Sequence, residues 1–140
     1  MEGRMNLFLI EDDDVDVISI TRSLKSESID ADITRAVDGV EALMMLREGT
    51  IKGPFITLLD IQMPRMNGIE FLHEVRKDPN LQDMVVFILT TSQAQQDILE
   101  SFQRNVAGYF LKSDGVRDYK EVAKCLDSFW RTSLLPPRDH

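Results

Sequence analysis

Phe55-Ile56-Thr57-Leu58-Leu59-Asp60-Ile61-Gln62-Met63-Pro64-Arg65-Met66-Asn67-Gly68 is the stretch from which the rest of the chain can be read. An apolar run bounded by Gly53-Pro54 and Asp60 predicts a strand buried on both faces, ending in one carboxylate. Pro64 lacks an amide hydrogen and disfavours helical geometry at Met63, so the chain must leave the strand through a loop before Asn67 caps the next helix. That loop sets the surroundings of Asp60. An acid that merely ends a strand needs no function, so the case for a site depends on other parts of the chain.

Upstream, residues 6–10 predict a buried strand that stops at Glu11-Asp12-Asp13-Asp14, with Asp16 one residue beyond Val15. Five acids thus fall within six residues. Acids favour helix N-termini, where the dipole contributes about 0.3–1 kcal/mol each, and this accounts for Asp13 and Asp14. It does not account for Glu11 and Asp12 abutting a buried strand, where like charges raise each other's pKa unless a cation is present.

The remaining elements alternate. Val17, Ile20 and Leu24, with Ile18 widening the stripe, predict an amphipathic helix over 14–25. A weaker strand around Ile33 leads through Asp38-Gly39 to a helix over 40–48. Ile69, Phe71, Leu72 and Val75 predict a helix over 67–77, stopped by Asp78-Pro79-Asn80. Residues 84–89 form the clearest strand and run into Thr90-Thr91-Ser92. Ala94, Ile98 and Phe102 mark a helix with a modest stripe, and Gly108-Tyr109-Phe110-Leu111 forms a fifth strand reaching Lys112. The last helix is expected over 116–131, with Val122, Leu126 and Phe129 as its core stripe. Tyr119, Ala123 and Trp130 then fall on a second apolar side and suggest an interface. The domain is expected to span 1–132, with 133–140 a tail that helps form a dimer interface.

Five strand and helix alternations imply an α/β fold: a doubly wound, five-stranded parallel sheet with five flanking helices. Right-handed crossovers place every strand's carboxyl end on one edge, where such sheets bind ligands. Glu11, Asp12, Asp60, Thr90 and Lys112 should therefore converge.

At 140 residues the chain suits one domain, and its net charge of −8 argues against binding nucleic acid through phosphate contacts. A protein partner or a cation fits better. Cys125 is the sole cysteine, so a reducing, cytoplasmic location is expected and Cys125 is expected to be a small buried hydrophobe. No apolar run approaches the ~20 residues of a membrane span, and residues 1–6 lack the apolar segment of a secretion signal.

Carboxylates without a nearby histidine or cysteine form a hard oxygen site, suited to Mg²⁺ or Mn²⁺ rather than zinc. His73 lies within a helix and His140 at the terminus. A carboxylate, a hydroxyl, a lysine and a divalent ion are equipped for phosphoryl transfer, with Asp60 as nucleophile, Lys112 balancing charge and Thr90 binding a phosphoryl oxygen.

Leu9-Ile10-Glu11-Asp12-Asp13, the motif from Asp60 to Gly68, Thr90 and Lys112, taken in this order, resemble the receiver domains of bacterial two-component response regulators. The resemblance covers nearly the whole chain. It implies the flavodoxin-like receiver fold, with Asp60 as acceptor of a phosphoryl group from a sensor histidine kinase. It further implies Asp12, Asp60 and the backbone carbonyl of Gln62 as Mg²⁺ ligands, with Glu11 acting through water. Thr90 and Lys112 would contact the phosphoryl group, and Tyr109 would follow the switch. The family usually has proline after the lysine, whereas Ser113 stands here, leaving the path of that loop open.

Lys112-Ser113, Ser128-Phe129-Trp130 and Leu134-Leu135-Pro136 are similar to the single-domain regulators of phytochrome-type kinases. That resemblance implies a homodimer paired through the fourth and fifth helices, the neighbouring strand and the tail. With only 133–140 after the last helix, no DNA-binding domain is expected to follow, and output should pass through protein contacts. A phosphatase that forms an aspartyl-phosphate is the main rival, but it would have a second acid where Gln62 stands. A flavin-binding module is disfavoured by the acids after the first strand, and a receiver kept only as a scaffold by the intact set of acids, threonine and lysine.

Overall fold

Along the first strand, β1 (Met5–Ile10), the side chains alternate between two apolar layers, Leu7 and Leu9 to one side and Phe8 and Ile10 to the other. A computed structural model describes residues 3–112 and 118–137 and shows that this alternation organises the chain. The further elements are α1 (Asp14–Ser26), β2 (Ala31–Ala36), α2 (Gly39–Arg47), β3 (Ile56–Leu59), α3 (Gly68–Lys77), β4 (Val85–Thr90), α4 (Gln95–Gln103), β5 (Gly108–Leu111) and α5 (Lys120–Thr132). The five strands are parallel in the order β2-β1-β3-β4-β5. The expected doubly wound sheet is present, and its direction of winding reverses between β1 and β3.

One core lies between the sheet and α2 and α3, with Phe71, Leu72 and Val75 against Phe8, Leu59 and Ile88. The other lies beneath α1 and α5, where Ile20, Leu24, Leu126 and Trp130 meet Leu7, Leu58 and Leu89. No helix among the described residues is long and apolar enough to cross a membrane.

The helical stripes required several corrections. Ile18 does not widen the buried face of α1; it is 48% exposed. On α4 the stripe expected from Ala94, Ile98 and Phe102 is not buried. Ser101 is the helix's buried residue, Ala94 is exposed, and Leu99 and Phe102 are 54% and 50% exposed. Cys125 is exposed, on the outer side of α5.

The expected interface residues Tyr119, Ala123 and Trp130 are buried within their own chain, at 2%, 3% and 3% exposure. They are spaced with Leu126 as i, i+4, i+7 and i+11, one helical face, which α5 turns toward the sheet and α1. Val122 and Phe129 flank that face, and Phe129 meets Phe87 edge to face at 5.1 Å. The buried face joins Leu126 of the expected core stripe to Tyr119, Ala123 and Trp130, and both sides are apolar, so periodicity alone could not decide which one faced the sheet. The helix begins at Lys120, with Asp118 and Tyr119 ahead of it, later than the expected start at 116; Val116 itself, the path from Ser113 and the last three residues of the tail lie outside the described residues.

Candidate functional site

Backbone pairing at the winding reversal brings the acids together. Glu11 N–H donates to Ala36 O at 3.0 Å and Asp60 N–H to Ile10 O at 3.0 Å, so both residues extend the ladder just past β1 and β3. Gly68 lets the next helix close over this point. A Cβ there would lie 2.6 Å from Asp60 O and 2.8 Å from Ile61 Cα, so no other residue fits without moving backbone.

The intervening loop is tied down through Arg65, whose φ of +63° costs roughly 1–2 kcal/mol for a residue with a side chain. Its guanidinium donates to the buried Asp38 carboxylate at 2.6 Å, which offsets that strain and joins the loop to the N-cap of α2. Asn67 and Glu70 complete a reciprocal cap at the start of α3.

Lys112 enters from the end of β5, next to Thr90 at the end of β4, with its N–H on Thr90 O at 2.8 Å. Its ammonium lies 2.7 Å from Glu11 Oε1, 2.8 Å from Asp16 Oδ2 and 3.0 Å from Asp60 Oδ2. Burial opposes the lysine's charge, but hydrogen bonds to Asp16 and Glu11 and the attraction of Asp60 and Glu11 outweigh it and raise its pKa. Burial first, and then the Asp60 charge, push the Glu11 carboxyl up to about 8 despite the contact with Lys112.

Three buried carboxylates around one ammonium leave a surplus of negative charge that a proton on Glu11 or a cation must relieve. Glu11, Asp12 and Asp60 each offer an oxygen within 4.8 Å of the others, with Asp12 open to solvent. The donors are hard, the charge is unbalanced and one side is accessible. That combination fits a divalent ion that keeps part of its water shell.

The remaining expected residues stand around this cluster. Asp60 Oδ1 accepts from Gln62 N–H at 3.1 Å, while the Gln62 side chain turns away to accept from Thr91 Oγ1 at 2.5 Å. Thr90 is fully buried and its Oγ1 accepts from Ser92 N–H at 3.3 Å. Tyr109 does not reach the acids; its hydroxyl donates to Ser92 O at 2.9 Å. Ser92 Oγ in turn donates to Asp97 of α4 at 2.5 Å, so Thr90, Tyr109 and α4 all meet at one residue.

Sequence reasoning missed two contributors. Asp16 was counted among the acids of the first loop but not as a partner of Lys112. The available signal was its place four residues before Ile20, on the buried stripe of α1. Arg35 of β2 donates to Glu11 O at 2.8 Å and pairs with Asp14 at 2.8 Å, pinning the acidic loop. A lone arginine in a weak strand gave no such indication.

A parallel sheet with acids at its winding reversal and a lysine facing them defines a class of protein that the comparisons identify. The family model described as the response regulator receiver domain matches residues 7–124, and the chain belongs to that family. Among its relatives, the response regulator Rcp1 of Synechocystis sp. is 30% identical over 135 residues, which cover 94% of this chain and 92% of that protein. The crystal structure of the phosphorylated cyanobacterial phytochrome response regulator RcpA matches with a TM-score of 0.84 at 29% identity, covering 96% of this chain and 99% of that one. The Mn²⁺-bound form of Rcp1 matches with a TM-score of 0.82 at 30% identity, covering 94% and 99%.

Proposed function

We propose that this chain is a response regulator in which Asp60 accepts a phosphoryl group from the phosphohistidine of a sensor histidine kinase of phytochrome type. The observation that carries the reading is the buried Asp60 carboxylate, 3.0 Å from Lys112 and sharing an oxygen cluster with Glu11 and Asp12. The phytochrome regulators among its relatives support the choice of kinase class.

Asp12, Asp60 and the backbone carbonyl of Gln62 would hold Mg²⁺ or Mn²⁺, with Glu11 acting through water. When bound, the ion would supply positive charge that offsets the negative charge of the reacting oxygens. An Asp60 oxygen forms a bond to phosphorus as the phosphorus–nitrogen bond of the donor breaks, and the bonding pair leaves with the imidazole. Lys112 balances the charge that accumulates, and Gln62 N–H and Lys112 hold the two Asp60 oxygens in fixed directions.

Phosphorylation adds roughly −1.5 to −2 charge. It would draw the Thr90 hydroxyl from the Ser92 amide, and because Tyr109 and Asp97 also hold Ser92, the change would pass to Tyr109 and α4. Leu99 and Phe102 of α4 and Leu111 of β5 are each about half exposed, which suits them to a homodimer contact, and Leu134 of the tail is 95% exposed. This assigns the dimer reading to different residues from those first expected. A cytoplasmic setting fits one cysteine and a cytoplasmic kinase domain as donor.

A phosphatase reading is weaker, since Gln62 stands where a second acid would act and its side-chain Oε1 accepts from Thr91. Asp60→Asn should abolish labelling by a phosphorylated kinase, and label retained on that variant would refute the acceptor assignment. Sedimentation with and without acetyl phosphate and Mg²⁺ tests the dimer; a monomer under every condition would exclude it.

A further inference from the structure

Asp16 is neither the phosphoryl acceptor nor one of the expected metal ligands, yet it is only 2% exposed. It lies in the first turn of α1, on the stripe that continues through Ile20 and Leu24, where an apolar side chain would cover the sheet at no electrostatic cost. Burying an ionised carboxylate costs several kcal/mol unless charge and hydrogen bonds compensate it. Here both oxygens have partners. Oδ2 accepts from Lys112 Nζ at 2.8 Å and Oδ1 accepts from the Tyr119 hydroxyl at 2.7 Å. Tyr119 is fixed in turn, for its backbone N–H donates to Ser23 Oγ at 3.1 Å, two turns further along α1.

A lysine ammonium has three N–H donors on a flexible four-carbon stem. Around Lys112 those donors meet Glu11, Asp60 and Asp16. Glu11 and Asp60 also bound the cation cleft, whereas Asp16 belongs to no part of it. Without Asp16, the ammonium would be drawn toward the cleft acids alone and compete there with a divalent ion. With it, a third attraction from α1 holds the ammonium beside Asp60.

We propose that Asp16, oriented by the Tyr119 hydroxyl, is a positioning residue for phosphoryl transfer: it anchors Lys112 Nζ from the α1 side, beside Asp60 Oδ2, against the pull of the cleft acids Glu11 and Asp60. The proposal rests on Asp60 being the phosphoryl acceptor. It ties the reaction to α5 as well, because Tyr119 precedes the first turn of that helix.

The test uses the full chain with acetyl phosphate at saturating Mg²⁺, following phosphorylation by intact-protein mass spectrometry. An Asp60 oxygen then bonds to phosphorus while the bond from phosphorus to the acetate oxygen breaks, the pair leaving with acetate. Asp16→Asn should slow the reaction about tenfold and Tyr119→Phe about threefold. The double variant should be no slower than Asp16→Asn, because the tyrosine acts through the aspartate.

Tyr119→Phe is the decisive variant, since it changes no charge and fills nearly the same volume. A role confined to packing would lower its melting temperature and leave its rate unchanged at saturating Mg²⁺. A role confined to the electrostatics of the cleft would leave both unchanged. An unchanged rate for Tyr119→Phe, or a double variant slowed by the product of the two single effects, would overturn the proposal. Failure of the unmodified chain to take up phosphate, with Asp60→Asn equally inert, would instead remove the acceptor reading on which the proposal stands.

Discussion

The two sides of the pocket are held in different ways. Toward α1 and α5, Lys112, Asp16, Tyr119 and Ser23 are joined by short hydrogen bonds, and Asp16, Ser23 and Tyr119 are all buried. Toward α4, Thr90 and Tyr109 meet at Ser92, beside a helix whose larger apolar residues face solvent. Little apolar area holds α4 to the sheet, so it is the element that a change in charge can move most cheaply. Under the proposed function, a phosphorylation signal would have a firm side to react against and a loose side to displace.

The strongest test of this contrast is Lys112→Ala. Removing the ammonium leaves buried carboxylates uncompensated, and in metal-free protein the loss should be about 3–5 kcal/mol by urea unfolding, partly restored by Mg²⁺. Unchanged stability would mean that the acids of the firm side carry little charge.

Arg76→Ala tests the loose side. Its guanidinium donates to Arg104 O, Gln82 O, Met84 O and Asn105 O, so it ties α3 to both the end of α4 and the approach to β4. Loss of roughly 2–3 kcal/mol is expected, with amide exchange rising first in α4.

Per pH unit, a smaller effect should come from titration of the site. In metal-free protein Glu11 has a folded pKa of about 8 against an ordinary glutamate value of 4.5, so the folded state retains a proton that the unfolded chain has released. The stabilisation from Glu11 is whole below pH 4.5 and declines as pH rises through 8, by at most about 1.4 kcal/mol per pH unit. Glu11→Gln should flatten that slope in chelator-treated samples, and an equal slope in both proteins would place the titration elsewhere. Least of all, Leu99→Lys should change the stability of the monomer by no more than about 0.5 kcal/mol, while weakening the proposed dimer if sedimentation detects one.

Much of this architecture could be read from residue order. Strands leading to Asp60, Thr90 and Lys112 fixed a common edge, because parallel strands joined by right-handed crossovers have no other way to align. The acids of the site were legible because adjacent charges beside an apolar strand need a physical reason. The helical faces were less so. On α5, stripes through Val122 and through Ala123 were both apolar, and on α4 an apolar spacing turned out to face solvent.

The sequence by itself determined the sheet, its acidic edge and the hard-oxygen chemistry expected there, since strand composition and charge spacing are local properties. Only the tertiary structure decided that Asp16 and Tyr119 belong to the pocket, that Tyr119 and Trp130 are interior, and that α4 is the lightly held helix. Those outcomes depend on how far each helix rotates against the sheet, and that rotation is set by packing among residues up to a hundred positions apart, which no local pattern encodes.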